Sequence, residues 1–422
     1  MKKIVLSLAG VMAAVAFAPE ASAVPVFARQ TGMACTACHF QHFPLLNGFG
    51  RAFKNGGFTM VGSQAKVEGE HLDIPDRLNM GVLTSSFYQD ESGSNGHWGV
   101  PAFGGELSIF YGGRISEFAG FLSELGAMGT AGTGAAKEAI LFPVGDARVG
   151  AVVYSGGQGA AYGFETLNTG AADTHKMMGN AGPNKQHVAA AYAGSYLGTR
   201  TDATGANIVA NNSMGFVSIG RFAPALPADA TANSLPLTYA RVAATLDIAG
   251  WDAGFGVQKF SGDTVTLDGG KTIYDATVID AQMQGEIAGM ETGFYVTYGT
   301  APADANGNAL AAGWSTLMKT KTAAERAVAQ QNLKATSLNI ATSVELIPHI
   351  ATVQLATRMA TLSDTVAAKD TTDNAVMVGF TYELAQNFEL AYNYTTQSGS
   401  AWDGLTAPVG KTASTFLVEV LF

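Results

Sequence analysis

Two cysteines and a histidine stand together as Cys35-Thr36-Ala37-Cys38-His39, and the chain of 422 residues has no other cysteine. This C-x-x-C-H order is the attachment signal for c-type haem. Two thiols three residues apart on one helical turn both reach the vinyl groups of a single macrocycle. The histidine that follows then lies beneath the iron as its proximal ligand. The same thiols also suit a redox disulfide or half of a zinc site. A thioredoxin-like motif needs a βαβ context, and zinc needs further Cys or His at set spacings. The sequence supplies neither, so one covalent haem c is predicted, with His39 as its iron ligand.

The second axial ligand is less constrained. His42 follows His39 by three residues, on the same helix, and so falls on the wrong side of the ring; it reads as lining the haem edge or a lumen. Met33 precedes Cys35 too closely to swing to the far face. Met60 and His71 lie far enough downstream to return over it. A thioether raises the potential relative to a second imidazole. Met60 is the first candidate and His71 the alternative, although Met60 equally suits plain apolar packing. Arg51 and Lys54 are candidates to pair with the haem propionates.

These groups need a scaffold. The chain opens with Lys2 and Lys3, the apolar run "IVLSLAGVMAAVAFA" and the small-x-small triplet Ala21-Ser22-Ala23, the pattern of an export signal over 1–23. Removing it takes the net charge from −10 to −11. An acidic chain lacks the basic surface that nucleic acid requires. Charged residues make up only 14 %, Gly numbers 51, and no later apolar run reaches membrane-helix length. An exported chain of this kind fits an outer-membrane β-barrel or a secreted all-β protein.

Alternation and loop length favour the barrel. In "FELAYNYTT", Phe388, Leu390, Tyr392 and Tyr394 share one face, opposite Glu389, Ala391, Asn393 and Thr395. "YARVAATLDI", "SLNIATSVEL" and "AVMVGFTYEL" repeat the pattern, each close to the length that crosses a bilayer when tilted. Tight turns at Gly250-Trp251, Gly289-Met290, Pro348-His349 and Gln386-Asn387 alternate with longer polar stretches at 261–273, 301–335, 362–373 and 398–413. Outer-membrane barrels segregate loop length in this way, with short periplasmic turns.

About sixteen transmembrane antiparallel strands are expected. Their spans are 77–88, 105–116, 118–126, 146–155, 160–167, 187–197, 213–222, 238–249, 251–260, 275–288, 290–300, 336–347, 350–361, 374–384, 387–397 and 414–422. The ending "TFLVEVLF" alternates to a final aromatic, as outer-membrane C-terminal strands do. Asp247, Asp252, Glu286, Glu291, Glu345, Glu383 and Glu389 flank the short turns on the polar parity and predict an acidic ring at the periplasmic mouth. The alternative is that such charges simply mark the water interface.

The organisation is therefore a signal over 1–23, a monohaem segment over 24–75 and a porin-like barrel over 76–422. From Val24 to Lys66 the chain carries Arg29, Arg51, Lys54 and Lys66 and no carboxylate. About fifty residues are few for a haem domain with its own core. A cationic segment and a wide acidic barrel together predict that the segment plugs the lumen.

"FARQTGMACTACHF" and the following "FPLLNGFGRAFKNGGFT" resemble the fused monohaem cytochrome–porins of the bacterial outer membrane. The resemblance covers about residues 24–60 and rests on Phe27, Ala28, Arg29, Gln30, Thr31, Gly32, Cys35, Cys38, His39, Pro44, Phe49, Gly50, Arg51, Phe53, Lys54, Gly57 and Thr59. "HFQHF", with its extra His42, departs from the family pattern. The family is associated with oxidation of extracellular iron(II). The resemblance thus implies a conduit passing electrons from an extracellular reductant, iron(II), through one haem to a periplasmic c-type cytochrome. Outer-membrane lipid is the third partner. Two further classes remain open: a solute porin with a structural or sensory haem, and a peroxidase-like enzyme. The last needs an open distal position, and no Arg-His distal pair is readable.

Overall fold

A computed structural model describes residues 25–62, 64–70, 72–126, 134–156, 159–170, 197, 199, 202–224, 234–265, 271–311, 331–403 and 410–422. The expected signal over 1–23, His71 and residues 187–196 of one expected strand lie outside them. Sixteen antiparallel strands close into one barrel. The first eight are β1 (Met80–Glu91), β2 (Leu107–Arg114), β3 (Ala119–Gly126), β4 (Gly134–Val144), β5 (Ala147–Gly156), β6 (Ala203–Asn212), β7 (Gly215–Pro224) and β8 (Leu237–Ile248). The rest are β9 (Trp251–Ser261), β10 (Ala276–Ile287), β11 (Met290–Ala301), β12 (Leu333–Ile347), β13 (Ala351–Asp364), β14 (Lys369–Ala385), β15 (Phe388–Ser398) and β16 (Thr412–Leu421). Pairing of β16 with β1, from Ala413↔Glu91 to Leu421↔Leu83, removes the last free edge.

Period two decides which side each residue faces. Val242, Ile279, Val376 and Phe416 point outward and are exposed, whereas Arg241, Gln258, Asn339, Gln354 and Asn393 point inward and are buried. An apolar outer band over a polar interior is what a membrane-spanning barrel requires. The tight turns share one end with the start of β1 and the end of β16, which is the periplasmic end. Ala249, Ala288, His349 and Asn387 in these turns adopt positive φ.

One of the sixteen expected strands is corrected, and the one at 187–197 lies almost wholly outside the described residues. Residues 160–167 are not a strand; they belong to a segment folded into the lumen. Strands 134–144 and 203–212 are present and were not among the expected spans. In β4, Lys137 is buried and the adjacent Glu138 exposed, so charge on both faces hides the alternation. In β6, the small and polar run "ATGANIVANN" gives almost no contrast between faces. The polar stretch at 362–373 is also mostly strand, with β13 and β14 paired out to Asp364↔Lys369.

Candidate functional site

The N-terminal segment folds as three short helices inside the periplasmic half of the barrel. These are α1 (Pro25–Thr31), α2 (Cys35–Cys38) and α3 (Gly48–Asn55). Pro25 opens α1 at the position where its missing N–H costs nothing. Asn47 caps α3 by accepting from Gly50 N at 2.9 Å, while its Nδ2 donates to Ala37 O at 3.1 Å. One side chain therefore starts α3 and fixes it to α2. Gly50 is required there, because a Cβ would lie 2.1 Å from Cys38 O.

Phe27 bridges the two ends of the segment, with ring centroids 5.0 Å from Phe53 and 5.1 Å from Phe58. Gln30 is fully buried and donates to the carbonyls of Phe58 and Met60, both at 2.7 Å. Several residues that carry the family resemblance thus form the internal packing of this plug.

Cys35 and Cys38 stand three apart on the single turn of α2, both half-buried and free. Burial, with the Glu383 carboxylate adding to it, pushes the Cys35 thiol up to about 12. A thiol held protonated in this way is a poor redox nucleophile. Among the described residues no three His, Cys, Asp or Glu groups form a metal cluster, so the zinc reading gains no further ligand. His39 Nδ1 lies 3.0 Å from Leu45 O. Such a bond to one ring nitrogen orients the other toward a metal. Burial pushes the His39 pKa down to about 4, against the opposing pull of the Leu45 and Pro44 carbonyls. The ring is neutral at ordinary pH, the form that ligates.

Met60 is half-buried, and its carbonyl is held on the α1 side by Gln30. Arg51 is buried and pairs with Asp252 on β9. Its Nη1 is a buried donor with no hydrogen-bond partner. Lys54 is buried too; burial pushes it down to about 8, against the attraction of Glu165. Two tethering thiols, an oriented neutral imidazole and an orphaned guanidinium donor for a carboxylate are a donor set that fits a propionate-bearing haem.

The wall holds this plug by long-range polar contacts. Gln41 Nε2 donates to Glu291 O at 2.8 Å on β11. His42 is buried, with Nδ1 2.7 Å from Phe43 O and Nε2 2.7 Å from Gln354 Nε2 on β13. Donation from Nδ1 to Phe43 leaves Nε2 to accept from Gln354. The extra histidine therefore lines the lumen and docks the plug. Phe40 and Leu45 pack against Tyr295, Ala341, Ala356 and Met377 of the wall. On the opposite side, wall Gly120 admits the plug backbone, since a Cβ there would lie 2.0 Å from Gly57 O.

The acidic ring is real but divided. Asp252 and Glu389 face the plug, Glu389 lying 3.9 Å from His42 Nδ1. Glu345 accepts from His349 N at 2.6 Å. Asp247 and Glu286 are exposed at their turns. Glu419, in register with Glu389, was not anticipated.

A second lumen occupant was not anticipated either. Residues 159–170 run inward above the plug, where Asn168 clasps the Leu46 backbone by Leu46 N→Asn168 Oδ1 at 2.8 Å and Asn168 Nδ2→Leu46 O at 3.0 Å. Arg241 on β8 holds this segment, with Nε donating to Glu165 Oε2 at 2.9 Å and Nη2 to Asp280 Oδ1 at 3.0 Å. Wall Lys137 donates to Tyr162 O at 2.9 Å. The only sequence signal was a lone Arg and a lone Asp on the inward parity of their strands.

These features define the class. The chain is a 16-stranded, porin-like β-barrel of the bacterial outer membrane whose lumen holds its own N-terminal segment. No protein-family model matches it, and no curated protein matches it. Among solved structures it is similar to the outer-membrane-expressed OmpT of Vibrio cholerae, with TM-score 0.46, 10% identity, 85% of this chain and 99% of that one covered. It is also similar to an anion-selective porin from Comamonas acidovorans, with TM-score 0.47, 11% identity and coverage of 82% and 99%. A third is the outer-membrane channel DcaP of Acinetobacter baumannii, with TM-score 0.45, 9% identity and coverage of 82% and 97%. These are likenesses of barrel form; the closed register of the chain's own strands is what defines the fold.

Proposed function

We propose that the protein is an outer-membrane electron conduit. It takes electrons from an extracellular donor, iron(II) or another reductant, and passes them to a periplasmic c-type cytochrome through one covalent haem in the plug. The observation that carries this reading is the placement of Cys35, Cys38 and His39 on a plug docked within the barrel. An apolar band about 25 Å tall separates the two aqueous sides, and electrons cross it only on a carrier. Haem c supplies a one-electron site.

The chain's own residues do the rest. Cys35 and Cys38 would tether the group, His39, whose ring is oriented by Leu45, would ligate the iron, and Arg51 with Lys54 would offer positive charge to propionates. Met60 remains the first candidate for a second iron ligand, and His71 the alternative. The monohaem segment is 24–75 and the barrel 76–422. The reading is of a redox conduit in preference to a bond-making enzyme.

The test is to purify the protein from outer membranes, stain the denatured band for covalent haem, and mix the native protein with iron(II). Haem in the band and its reduction by iron(II) are expected. An unstained band, or no reduction at any pH, overturns the reading. A high-spin iron that binds cyanide quickly would instead favour the peroxidase class.

A solute porin is the second reading, favoured by the width of sixteen strands. Occupation of the lumen by both the plug and residues 159–170 weighs against it. Large conductance in planar bilayers would decide for the porin.

A further inference from the structure

Lys137 of β4 is 3% exposed and faces the lumen where wall, plug and inner segment meet. Its Nζ donates to Tyr162 O of the inner segment at 2.9 Å. The same Nζ lies 4.0 Å from the centroid of the Tyr162 ring and 5.9 Å from that of Phe58 in the plug. The plug rests on this stretch of wall, since a Cβ on Gly57 would lie 3.5 Å from Leu141 and 3.7 Å from Ala139. The Lys54 ammonium of the plug is close enough to repel that of Lys137.

Buried cations at this junction outnumber buried carboxylates: Lys54, Lys137 and Arg241 stand against Glu165 and Asp280. The carboxylates are engaged elsewhere. Glu165 Oε2 accepts from Arg241 Nε, and its Oε1 from Thr166 N and Leu167 N, all at 2.9 Å. Asp280 accepts from Arg241 at 3.0 Å and from Thr169 Oγ1 at 2.6 Å. Half-buried Glu124 is diagonal to Lys137 across β3–β4, where Leu122 pairs with Lys137, but it accepts from Ser108 Oγ at 3.1 Å. Among the described residues no carboxylate forms an ion pair with Lys137. One carbonyl and two ring faces do not balance a buried ammonium, and an uncompensated charge in an interior is strongly destabilising. Methionine would fill the same space against both rings without that cost. A cation kept there has an anion to meet.

We infer that Lys137 of the wall joins Lys54 of the plug in holding one propionate of the haem, so that the cofactor ties plug to wall. The inference rests on the haem of the conduit reading and is independent of the electron donor and acceptor. Gly50 lies against Cys38 O, and Lys54 stands about one helical turn further along α3. The lysine pair therefore belongs to the same helix that packs on the attachment turn. A carboxylate between two ammonium groups relieves their repulsion and makes a charge-assisted bond to each.

The test compares Lys137→Met and Lys137→Arg with the wild type, in the haem-loaded protein and in the same chain made haem-free in a host without cytochrome c maturation. In the loaded protein Lys137→Met strands a propionate. It should shift the haem equilibrium about tenfold toward oxidised iron, a midpoint fall of about 59 mV for one electron. Tryptic cleavage of the plug in intact membranes should quicken about tenfold, as for a lost bond between charged groups. Lys137→Arg keeps the charge and should leave both readouts near the wild type. In the haem-free chain Lys137→Met removes a cation that has no anion. Cleavage should then be no faster than in the wild type, and the folded band should survive to a higher temperature. Heat-modifiable gel mobility reports folding. Should the haem-free chain not fold, the midpoints of the two loaded variants decide.

An unchanged midpoint in Lys137→Met overturns the inference. So does an equal quickening of cleavage in loaded and haem-free protein, which would make Lys137 a packing residue only. If exchanging chloride and phosphate for gluconate in the loaded wild type reproduces the Lys137→Met effects, the site takes a free anion, and the inference is again overturned. The conduit reading is scored separately. A haem-stained band that iron(II) does not reduce, with the Lys137 effects intact, removes the conduit alone. Normal reduction by iron(II) with no Lys137 effect removes the propionate site alone. An unstained band removes both.

Discussion

The two occupants of the lumen are held by different physics. The plug meets the wall through neutral amide and imidazole contacts, an apolar cluster and the Arg51–Asp252 ion pair, whose carboxylate is 32% exposed. Residues 159–170 are held by a guanidinium clamped between two carboxylates, with all three side chains at 0% exposure. Contacts of the first kind are individually modest. Contacts of the second kind are costly to break, because a lost partner leaves charge stranded in the interior. The inner segment is thus a strut built into the wall, and the plug is a docked part resting against it.

Four substitutions probe that contrast. Arg241→Leu should have the largest effect. It strands Glu165 and Asp280 and should cost about 3–5 kcal/mol, read as a large fall in the temperature at which the folded band is lost on gels. Retention of wild-type heat stability would mean that 159–170 is not a strut. Leu45→Ala comes next. It empties a fully buried site in the plug–wall cluster, at about 2–5 kcal/mol for a Leu-to-Ala change in a core. The expected readout is tryptic cleavage of the plug in intact membranes, where the wild type resists, with the barrel's own heat stability little changed.

Arg51→Ala removes one partly exposed pair and should loosen the plug by about 1 kcal/mol, seen as a several-fold faster cleavage that high salt reproduces in the wild type. The smallest effect is a pH dependence at His42. Burial lowers its pKa, outweighing the pull of the Phe43 carbonyl, and Glu389 is the carboxylate nearby. The undocked imidazole therefore binds its proton first. The His42 contribution is fully present above the ordinary histidine pKa of about 6.5 and is lost as pH falls below it. Plug cleavage in the wild type should accelerate over that window, and His42→Gln should weaken the dependence. An identical pH profile in the two proteins would remove His42 from the docking contacts.

How much of this was legible in the chain follows from range. Strong alternation with aromatic and branched residues made β8–β15 readable, because two neighbours suffice to fix which side faces lipid. β4 and β6 lacked that contrast, one carrying adjacent charges and the other small residues. Residues 160–167 misled for the opposite reason. Tyr162, Phe164 and Leu167 mix with Glu165 as a strand would, yet all four are buried inside the lumen. The C-x-x-C-H turn was visible because its chemistry is local. The role of His42 was not, because its partner Gln354 lies 312 positions away.

By itself the sequence determined a barrel of about sixteen strands, the end at which its turns are short, and a C-x-x-C-H turn on a segment without carboxylates. Periodicity, turn chemistry and ligand spacing are properties of neighbouring residues, so no tertiary contact is needed to express them. The tertiary structure alone decided the second occupant of the lumen and the contacts that hold both. Closure and register bring Arg241 and Asp280 to Glu165, Asn168 to Leu46, and Gln354 to His42. Each of these pairings is a burial of polar groups whose partners are fixed by the shape of the closed wall.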